Sequence, residues 1–486
     1  MQESNLPNIL WICTDQQRYD TIAALGNAFV STPNIDQLAR QGVAFERAYC
    51  QSPICTPSRA SFLTGMYPSS LQVNRNGNPR FPDFPPLISR RLADRGYVCG
   101  LIGKLHLSSA YGRVEERVDD GYTYWKYSHA PRDDWEHGHD YADWVRSQGV
   151  DLGQLTRDPA GVPAQLHQST WCAEKTIEFI QENRNRNWFA SVNIYDPHPP
   201  FNPPRAYRDR FDPAQVKAPL FRESDLQQQE KLRRIDFQST ARHPDDLDIK
   251  SPILPQSPTP GLAEPDSPGA RDARSLIAAY YAMIKLIDDQ LGRIVAALDA
   301  LDLRRNTVII FTSDHGEMLG DHGLILKGCR FYEGLVRVPL IWSWPARFKS
   351  DLLSDALVEL TDIAPTLLDI VGLPAPGYMV GSSLLPILTG EVPPHRHRHY
   401  VRCEYIDALD MPDHSRATMY FDGRHKIVLY HSLGAGELYD LAEDPGEFDN
   451  LWDRESAREL RADLSQRAFD ATIATLYPGL DRRGPM

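Results

Sequence analysis

The sequence predicts an α/β protein with a large, mostly parallel central sheet covered by helices on both faces, and a smaller C-terminal antiparallel sheet with a helix. Up to about residue 389, short apolar runs alternate with segments of helical period, which is the pattern of parallel strands joined by crossover helices. From about residue 390, four short strand-like runs follow one another across turns, which is typical of an antiparallel sheet. We therefore expect a large unit over residues 1–389 and a smaller unit over residues 390–486.

The predicted strands of the large unit are continuous apolar runs rich in β-branched residues, as strands buried on both faces are. They lie at 8–15, 43–50, 97–102, 188–195, 307–312 and 338–342. The four runs of the small unit lie at 399–405, 417–422, 426–431 and 437–441.

The predicted helices repeat their apolar residues at helical spacing. They lie at 35–39, around Phe62, and at 87–94, 171–182, 271–301, 361–371 and 457–469. Residues 203–270 contain many Pro, Asp and Gln residues without strong periodicity, so we interpret them as a long insertion in the large unit.

Composition excludes several classes of partner. The net charge of −13 argues against a nucleic-acid-binding protein, because such domains usually present a basic face. No stretch reaches membrane-spanning length, and the chain enters a strand-like run at Asn8 instead of a signal peptide, so we expect no membrane contact. The seven cysteines are scattered and odd in number, which favours free thiols and a cytoplasmic location. We also expect a homo-oligomer, a dimer or a tetramer, with the C-terminal helix as a candidate contact.

Residues 119–146 hold an unusual concentration of tyrosine and tryptophan among acidic residues and histidines. One interpretation is an ordinary surface loop with packed aromatic side chains. The other is a wall or lid that faces the substrate, because loops at the edge of a sheet commonly carry recognition.

Polar residues recur directly after predicted strands: Asp15, Lys104 with His106, His198, and Asp314 with His315. Because the carboxyl ends of parallel strands meet at one edge of a sheet, we expect these side chains to converge. Two carboxylates (Asp15 and Asp314), an amide oxygen (Gln16) and one imidazole (His315) form an oxygen-rich donor set. Such a set suits Ca²⁺, Mg²⁺ or Mn²⁺ better than Zn²⁺.

The stretch Cys55-Thr56-Pro57-Ser58-Arg59 places a cysteine on a proline-rich turn just before an apolar helix. A helix N-terminus attracts anions, and the planar guanidinium of Arg59 is suited to bidentate contact with an oxyanion. A lone cysteine is more commonly a buried structural residue. The surrounding pattern nevertheless predicts a reactive side chain beside an anion-binding site.

This stretch resembles the sulfatase signature C-x-P-x-R, and further motifs resemble that family in the same order. Residues 103–107 (G-K-L-H-L) resemble its G-K-x-H motif, and residues 197–199 resemble the segment with its second active-site histidine. Residues 314–327 resemble the block with two metal ligands and a catalytic lysine. Residues 437–445 resemble the C-terminal signature E-L-Y-D-L-x-x-D-P. The resemblance spans roughly residues 8 to 450 and implies an alkaline phosphatase-like fold.

The resemblance implies a metal site and a modified cysteine. Cys55 would be oxidised to formylglycine by a formylglycine-generating enzyme, and one divalent ion would be bound by Asp15, Gln16, Cys55, Asp314 and His315. Gln16 replaces the aspartate that the family frequently has there. His315 stands where many members have asparagine, which favours Mn²⁺ slightly over Ca²⁺, with Mg²⁺ a further option.

The resemblance also implies catalytic roles for Cys55, Arg59, Lys104, His106, His198 and Lys327. The metal and the three cationic side chains would hold an anionic sulfate ester and stabilise its transition state. One hydroxyl of the hydrated formylglycine would attack sulfur to form a covalent sulfo-enzyme. His198 with Lys327 would assist the leaving oxygen, and His106 would take the proton of the second hydroxyl so that sulfate is expelled.

Three functions remain open at this point. The first is a sulfuric ester hydrolase of the arylsulfatase type that acts on small sulfate monoesters, with choline sulfate as an alternative substrate held by the aromatic rings of 119–146. The second is a phosphonate monoester or phosphodiester hydrolase of the same superfamily. The Asp15-Gln16 and Asp314-His315 pairs resemble those of such hydrolases, which tend to lack the equivalents of Lys104 and His106. The third is a metal-binding protein in which Cys55 is never modified.

Overall fold

A computed structural model describes most of the chain. The residues described are 6–110, 113–133, 135, 137–158, 160–233, 235, 241–247, 272–409 and 414–476.

Twelve strands in these ranges form two sheets. In chain order they are β1 (Asn8–Thr14), β2 (Val43–Tyr49), β3 (Val98–Gly103), β4 (Tyr122–Tyr127), β5 (Trp188–Ile194), β6 (Thr307–Ser313), β7 (Arg337–Ser343), β8 (Leu352–Glu359), β9 (Val401–Ile406), β10 (Arg416–Phe421), β11 (His425–Tyr430) and β12 (Ala435–Asp440). The large sheet has the order β4-β3-β5-β1-β6-β7-β2-β8, and only β7 runs antiparallel to its neighbours. The small sheet has the order β12-β11-β10-β9 and is antiparallel throughout.

Fourteen α-helices lie in the same ranges. They are α1 (Pro33–Arg40), α2 (Cys55–Thr64), α3 (Pro68–Leu71), α4 (Ile88–Asp94), α5 (Asp140–Ser147), α6 (Leu152–Leu155), α7 (Gln168–Glu182), α8 (Arg205–Arg208), α9 (Glu223–Leu232), α10 (Ala273–Ala300), α11 (Glu333–Val336), α12 (Ile363–Ile370), α13 (Leu385–Thr389) and α14 (Arg458–Ala474).

The two faces of the large sheet bury separate hydrophobic cores. Side chains alternate across a strand, so Trp11 of β1 points to one face and Leu10 and Ile12 point to the other. Helices α2, α4 and α12 pack on the first face, and helices α1, α7 and α10 pack on the second. The predicted architecture, a mostly parallel sheet covered on both faces beside a small antiparallel sheet, is confirmed. The boundary at residue 389 stays a prediction.

Two segments differ from the expectation. Residues 119–146 are not simply a loop, because they contain strand β4 at the edge of the large sheet and helix α5. Most of the aromatic rings there are structural: Tyr122, Tyr127, Trp135 and Tyr141 are buried. Strand β8 was not predicted, since Ser354 and Asp355 interrupt its apolar residues and its first half is only partly buried.

The predicted insertion at 203–270 contains two helices, α8 and α9, within its described part. Residues 234, 236–240 and 248–270 of that prediction lie outside the described residues.

The C-terminal helix α14 packs on the small sheet through Leu464, Ala468 and Ala471. Phe469 and Ile473 on its other side and Leu476 just beyond its end are about half exposed. The oligomer contact expected here stays a prediction. Among the described residues, no helix combines the length and the apolar character needed to cross a membrane.

A buried lysine joins the small sheet to the large one. Lys426 of β11 donates to Glu333 of α11 at 2.6 Å, to Glu447 at 2.8 Å and to the carbonyl oxygen of Phe331 at 3.1 Å. Its side chain is fully buried, and the backbone N–H of Glu333 donates to Glu447 as well. One ammonium group therefore neutralises two buried carboxylates from different parts of the chain.

We predict that Lys426→Met lowers the free energy of unfolding by about 3–5 kcal/mol, because it leaves the buried Glu447 without its cation and Glu333 with only Arg337, 3.5 Å away. The measurement is urea unfolding followed by circular dichroism. Arg424→Met is the matched control, since Arg424 of the preceding turn pairs with Asp440 at the surface and its loss should hardly move the midpoint. Equal midpoints for the wild type and Lys426→Met would contradict this account of how the sheets are joined.

Candidate active site

The candidate side chains lie at one edge of the large sheet, after four neighbouring strands. Strands β3, β5, β1 and β6 are adjacent in that order and parallel. Lys104 follows β3, His198 lies just beyond β5, Asp15 follows β1, and Asp314 follows β6. The structure therefore brings these residues together at the edge where the sequence predicted them.

Four side chains form a compact set of donor atoms. One ligand atom each of Asp15, Cys55, Asp314 and His315 lies within 4.8 Å of the other three, and all four residues are buried. The Nδ1 atom of His315 lies 2.9 Å from the carbonyl oxygen of Gly316, so Nδ1 donates and Nε2 keeps its lone pair. That Nε2 atom lies 3.1 Å from Sγ of Cys55. Burial lowers the pKa of His315 to about 4, so the imidazole is in the neutral form that binds metals.

Gln16 adds an amide oxygen next to this set. Its backbone N–H donates to Oδ1 of Asp314 at 3.0 Å, and its side-chain Nε2 donates to Glu317. Because a carboxylate only accepts, Glu317 fixes which end of the amide is the nitrogen. Among the described residues, the buried Oε1 atom of Gln16 has no hydrogen-bond partner. An orphaned amide oxygen on the residue that follows Asp15 fits the donor set of a divalent cation.

Arg59 is buried between the two carboxylates. Its Nε donates to Asp314 at 2.9 Å, and its Nη2 lies 3.5 Å from Asp15. Its Nη1 donates to the carbonyl oxygen of Lys104 and to Asn193. Among the described residues, its Nη2 has no hydrogen-bond partner, so the guanidinium neutralises the carboxylates and keeps one nitrogen for a ligand.

Two lysines approach the centre from different sides. Nζ of Lys104 lies 2.6 Å from Oδ2 of Asp15, and Nζ of Lys327 lies 2.8 Å from Sγ of Cys55. Burial alone would raise the pKa of Asp15, but the surrounding cations hold it well below its usual range, Lys104 contributing most. Asp15 is therefore ionised at neutral pH.

The two predicted histidines also lie at this edge. His106 is buried, and its ring contacts His129 edge-to-face at 4.6 Å between centroids. Within the part of the chain that the structure describes, its Nδ1 atom has no hydrogen-bond partner. His198 is half-buried and packs on Tyr195, with Nδ1 2.7 Å from the carbonyl oxygen of Pro199. Its Nδ1 therefore donates, and Nε2 is left to exchange a proton.

Cys55 is the first residue of α2, where backbone N–H groups lack helical partners. The next N–H, of Thr56, is accepted by the side-chain oxygen of Asn76 at 3.0 Å. Burial and then the Asp15 carboxylate raise the pKa of the Cys55 thiol to about 11, although Lys327 and Lys104 oppose this. The unmodified side chain is thus a neutral thiol at pH 7.

Sequence reasoning missed three residues that support this centre: Asn76, Glu115 and Glu317. Glu317 lies inside the 314–327 motif, and besides Gln16 it accepts the backbone N–H groups of Leu319 and Leu326. Asn76 belongs to an asparagine- and proline-rich loop in which no single residue stands out. Their partners are mainly backbone groups, which leave no pattern in the sequence.

An α/β fold with a buried carboxylate–imidazole set, surrounded by cations at the sheet edge, defines a hydrolase site for an anionic ester. The chain belongs to the sulfatase family: the family model described as Sulfatase matches residues 7–373. A second model, described as N-sulphoglucosamine sulphohydrolase, C-terminal, matches residues 320–473. The fold and these matches place the chain in the alkaline phosphatase superfamily.

The names of individual relatives indicate different activities. An arylsulfatase of Clostridium perfringens is 29% identical over 477 residues, which cover 93% of this chain and 92% of that protein. A choline-sulfatase of Rhizobium meliloti is 27% identical over 508 residues, covering 96% of this chain and 88% of that one. The crystal structure of a phosphonate monoester hydrolase of Agrobacterium radiobacter superposes with a TM-score of 0.80 at 27% identity, covering 99% of each chain.

Gln16 and its neighbour Gln17 both have a buried amide oxygen without a partner, but only Gln16 is bonded to Asp314 and Glu317. Gln17 instead directs its Nε2 to Thr21. We predict that Gln16→Ala weakens Mn²⁺ binding at least about tenfold, the scale seen when a ligand or its support is removed. Gln17→Ala should stay within about twofold of the wild type. The Mn²⁺ affinity is measured by calorimetric titration of the metal-free protein. A larger loss of affinity in Gln17→Ala than in Gln16→Ala would contradict the assignment of Gln16 as a metal ligand.

Proposed function

We propose that this protein is a sulfuric ester hydrolase of the arylsulfatase type, acting on small sulfate monoesters with one divalent ion and a formylglycine formed from Cys55. The observation that carries the proposal is the buried set of Asp15, Cys55, Asp314 and His315, with Lys104 and Lys327 within 2.8 Å of its members. A sulfate ester is an anion whose transition state needs this kind of positive surrounding.

Asp15, Asp314 and His315 would hold the metal together with the oxygen of Gln16 and the modified side chain at position 55. Ca²⁺ and Mn²⁺ suit this set, with Mg²⁺ a further candidate. When bound, the ion supplies Lewis acidity, and a hydrated formylglycine supplies the attacking hydroxyl and a second hydroxyl for release of sulfate. Maturation of Cys55 requires a formylglycine-generating enzyme as a partner.

The cationic residues divide into two roles. Arg59 holds Asp15 and Asp314 in place and offsets their repulsion through the contacts described above. Lys104 and Lys327 flank residue 55 and carry flexible ammonium groups that attract the sulfate and stabilise its charge in the transition state.

The histidines move protons. His198 has its Nδ1–H bonded to Pro199, so its Nε2 is the atom that can exchange a proton with the leaving oxygen, assisted by Lys327. His106 has a neutral ring with an unpartnered Nδ1. Burial, then Lys104 and His129, hold the pKa of His106 well below its usual range. That nitrogen is suited to accept the proton of the second hydroxyl.

A phosphonate monoester hydrolase is the second candidate, supported by the likeness to the Agrobacterium radiobacter structure and by the Asp15-Gln16 and Asp314-His315 pairs. A phosphonate monoester and a sulfate monoester each present one negative charge on a tetrahedral centre. The cations of this site therefore attract both, and activity on both substrates is expected. Lys104 and His106 favour the sulfate.

The aromatic segment gives choline sulfate little support. A quaternary ammonium cage needs aromatic faces turned toward the ligand. Here the guanidinium of Arg117 lies over Trp125 at 4.2 Å, and His139 stacks on Trp135 at 4.5 Å. We therefore place choline sulfate behind aryl sulfates, within the same site. A cytoplasmic location and a homo-oligomer remain part of the proposal.

We predict that Cys55→Ala lowers kcat/KM for an aryl sulfate at least about 1,000-fold while the fold is kept, because the nucleophile cannot form. Cys172→Ala, which removes a buried thiol from helix α7 on one face of the sheet, is the matched control and should keep its activity. Intact-mass analysis of the active wild type should show the thiol of residue 55 replaced by an aldehyde. Full activity in Cys55→Ala would reject the proposal.

A further inference from the structure

The loop after strand β3 is held by one buried carboxylate outside the motifs described above. Glu115 is 2% exposed and accepts three consecutive backbone N–H groups. The N–H of His106 lies 2.6 Å from Oε1, and those of Leu107 and Ser108 lie 2.7 Å and 3.2 Å from Oε2. Charge-assisted hydrogen bonds of this kind are the stronger ones in proteins.

The backbone that Glu115 holds is in an uncommon conformation. His106 has a φ of +56°, in the left-handed region that residues other than glycine rarely adopt. Such a conformation persists only where the surroundings impose it. Both oxygens of the Glu115 carboxylate accept N–H groups of this turn. We therefore infer that Glu115 imposes the left-handed conformation of His106.

The turn carries two residues of the candidate site. Lys104, two residues before His106, reaches Asp15, and its carbonyl oxygen accepts Nη1 of Arg59. Among the described residues, Nδ1 of the His106 ring has no hydrogen-bond partner, so the direction of the ring depends on its backbone and on contact with His129. A turn that relaxed toward extended backbone would carry the imidazole away from the centre.

We propose that Glu115 is a positioning residue for turnover: it fixes the left-handed turn at His106 and thereby aims the imidazole that accepts the proton in the step that releases sulfate. The role of His106 in this statement rests on the function proposed above. The hydrogen bonds by which Glu115 holds the turn do not depend on that function, and they can be tested separately.

The turn is tested by amide hydrogen exchange on the full-length protein. In Glu115→Ala, the amides of residues 106–108 should exchange at least about tenfold faster than in the wild type, while the amides of β1 and β6 keep their protection. Glu116→Ala is the matched control, since Glu116 is the adjacent residue and is exposed. Unchanged protection of residues 106–108 would overturn the proposal whatever the enzyme's substrate is.

The kinetic role is tested by a double-mutant cycle with an aryl sulfate. Glu115→Ala should lower kcat about tenfold or more and lower KM in parallel, so that kcat/KM changes little, because His106 acts after the covalent intermediate has formed; in a His106→Ala background the same substitution should cost less than about twofold in kcat. Glu115→Gln, which keeps one acceptor oxygen and the shape of the side chain, should restore part of kcat and covers the case in which Glu115→Ala does not fold. Fully additive losses would show that Glu115 does not act through His106. A wild type without sulfatase activity would reject the proposed function, and the exchange experiment would still decide the role of Glu115.

Discussion

Two buried carboxylates on adjacent strands are the constraint on which the rest of this site depends. Strands β1 and β6 pair in register so that Thr14 lies opposite Ser313, and Asp15 and Asp314 follow side by side. Burying two like charges costs several kcal/mol per ion unless cations compensate for them. Arg59 and Lys104 balance the charges of the two carboxylates, and a divalent ion held by the same carboxylates would add the positive charge that an anionic ester requires. The site is thus cationic within a protein whose net charge is −13.

This constraint explains why the centre is suited to a tetrahedral anion. It does not decide which tetrahedral anion is the substrate. The cations neutralise the carboxylates first, and the lysines that flank residue 55 extend the positive charge toward the ligand. Charge alone does not separate a sulfate ester from a phosphonate monoester, because each carries a single negative charge. In the function we propose, His106 and His198 transfer protons, and the choice between the two esters depends on how firmly the loops hold these histidines.

The sequence predicted the parts of the site that depend on strand order. Asp15, Lys104, His198 and Asp314 could be placed together because each follows a strongly apolar strand, and the ends of parallel strands share an edge. The supporting residues could not be placed in this way. Glu115 accepts backbone N–H groups seven to nine residues earlier in the chain, and Asn76 accepts one 20 residues earlier. Such contacts leave no spacing or periodicity in the sequence. Strand β8 was not predicted because Ser354 and Asp355 interrupt its apolar residues, and its place in the sheet depends on pairing with β2.

The most direct test of the account is the ratio of kcat/KM for an aryl sulfate to kcat/KM for the matching aryl phosphonate monoester, measured on matured enzyme at one pH and one metal concentration. We predict a ratio well above one, because the resemblance implies that Lys104 and His106 distinguish sulfatases from phosphonate monoester hydrolases. A ratio well below one would contradict it. It would mean that Lys104 and His106 do not give this site a preference for the sulfate ester.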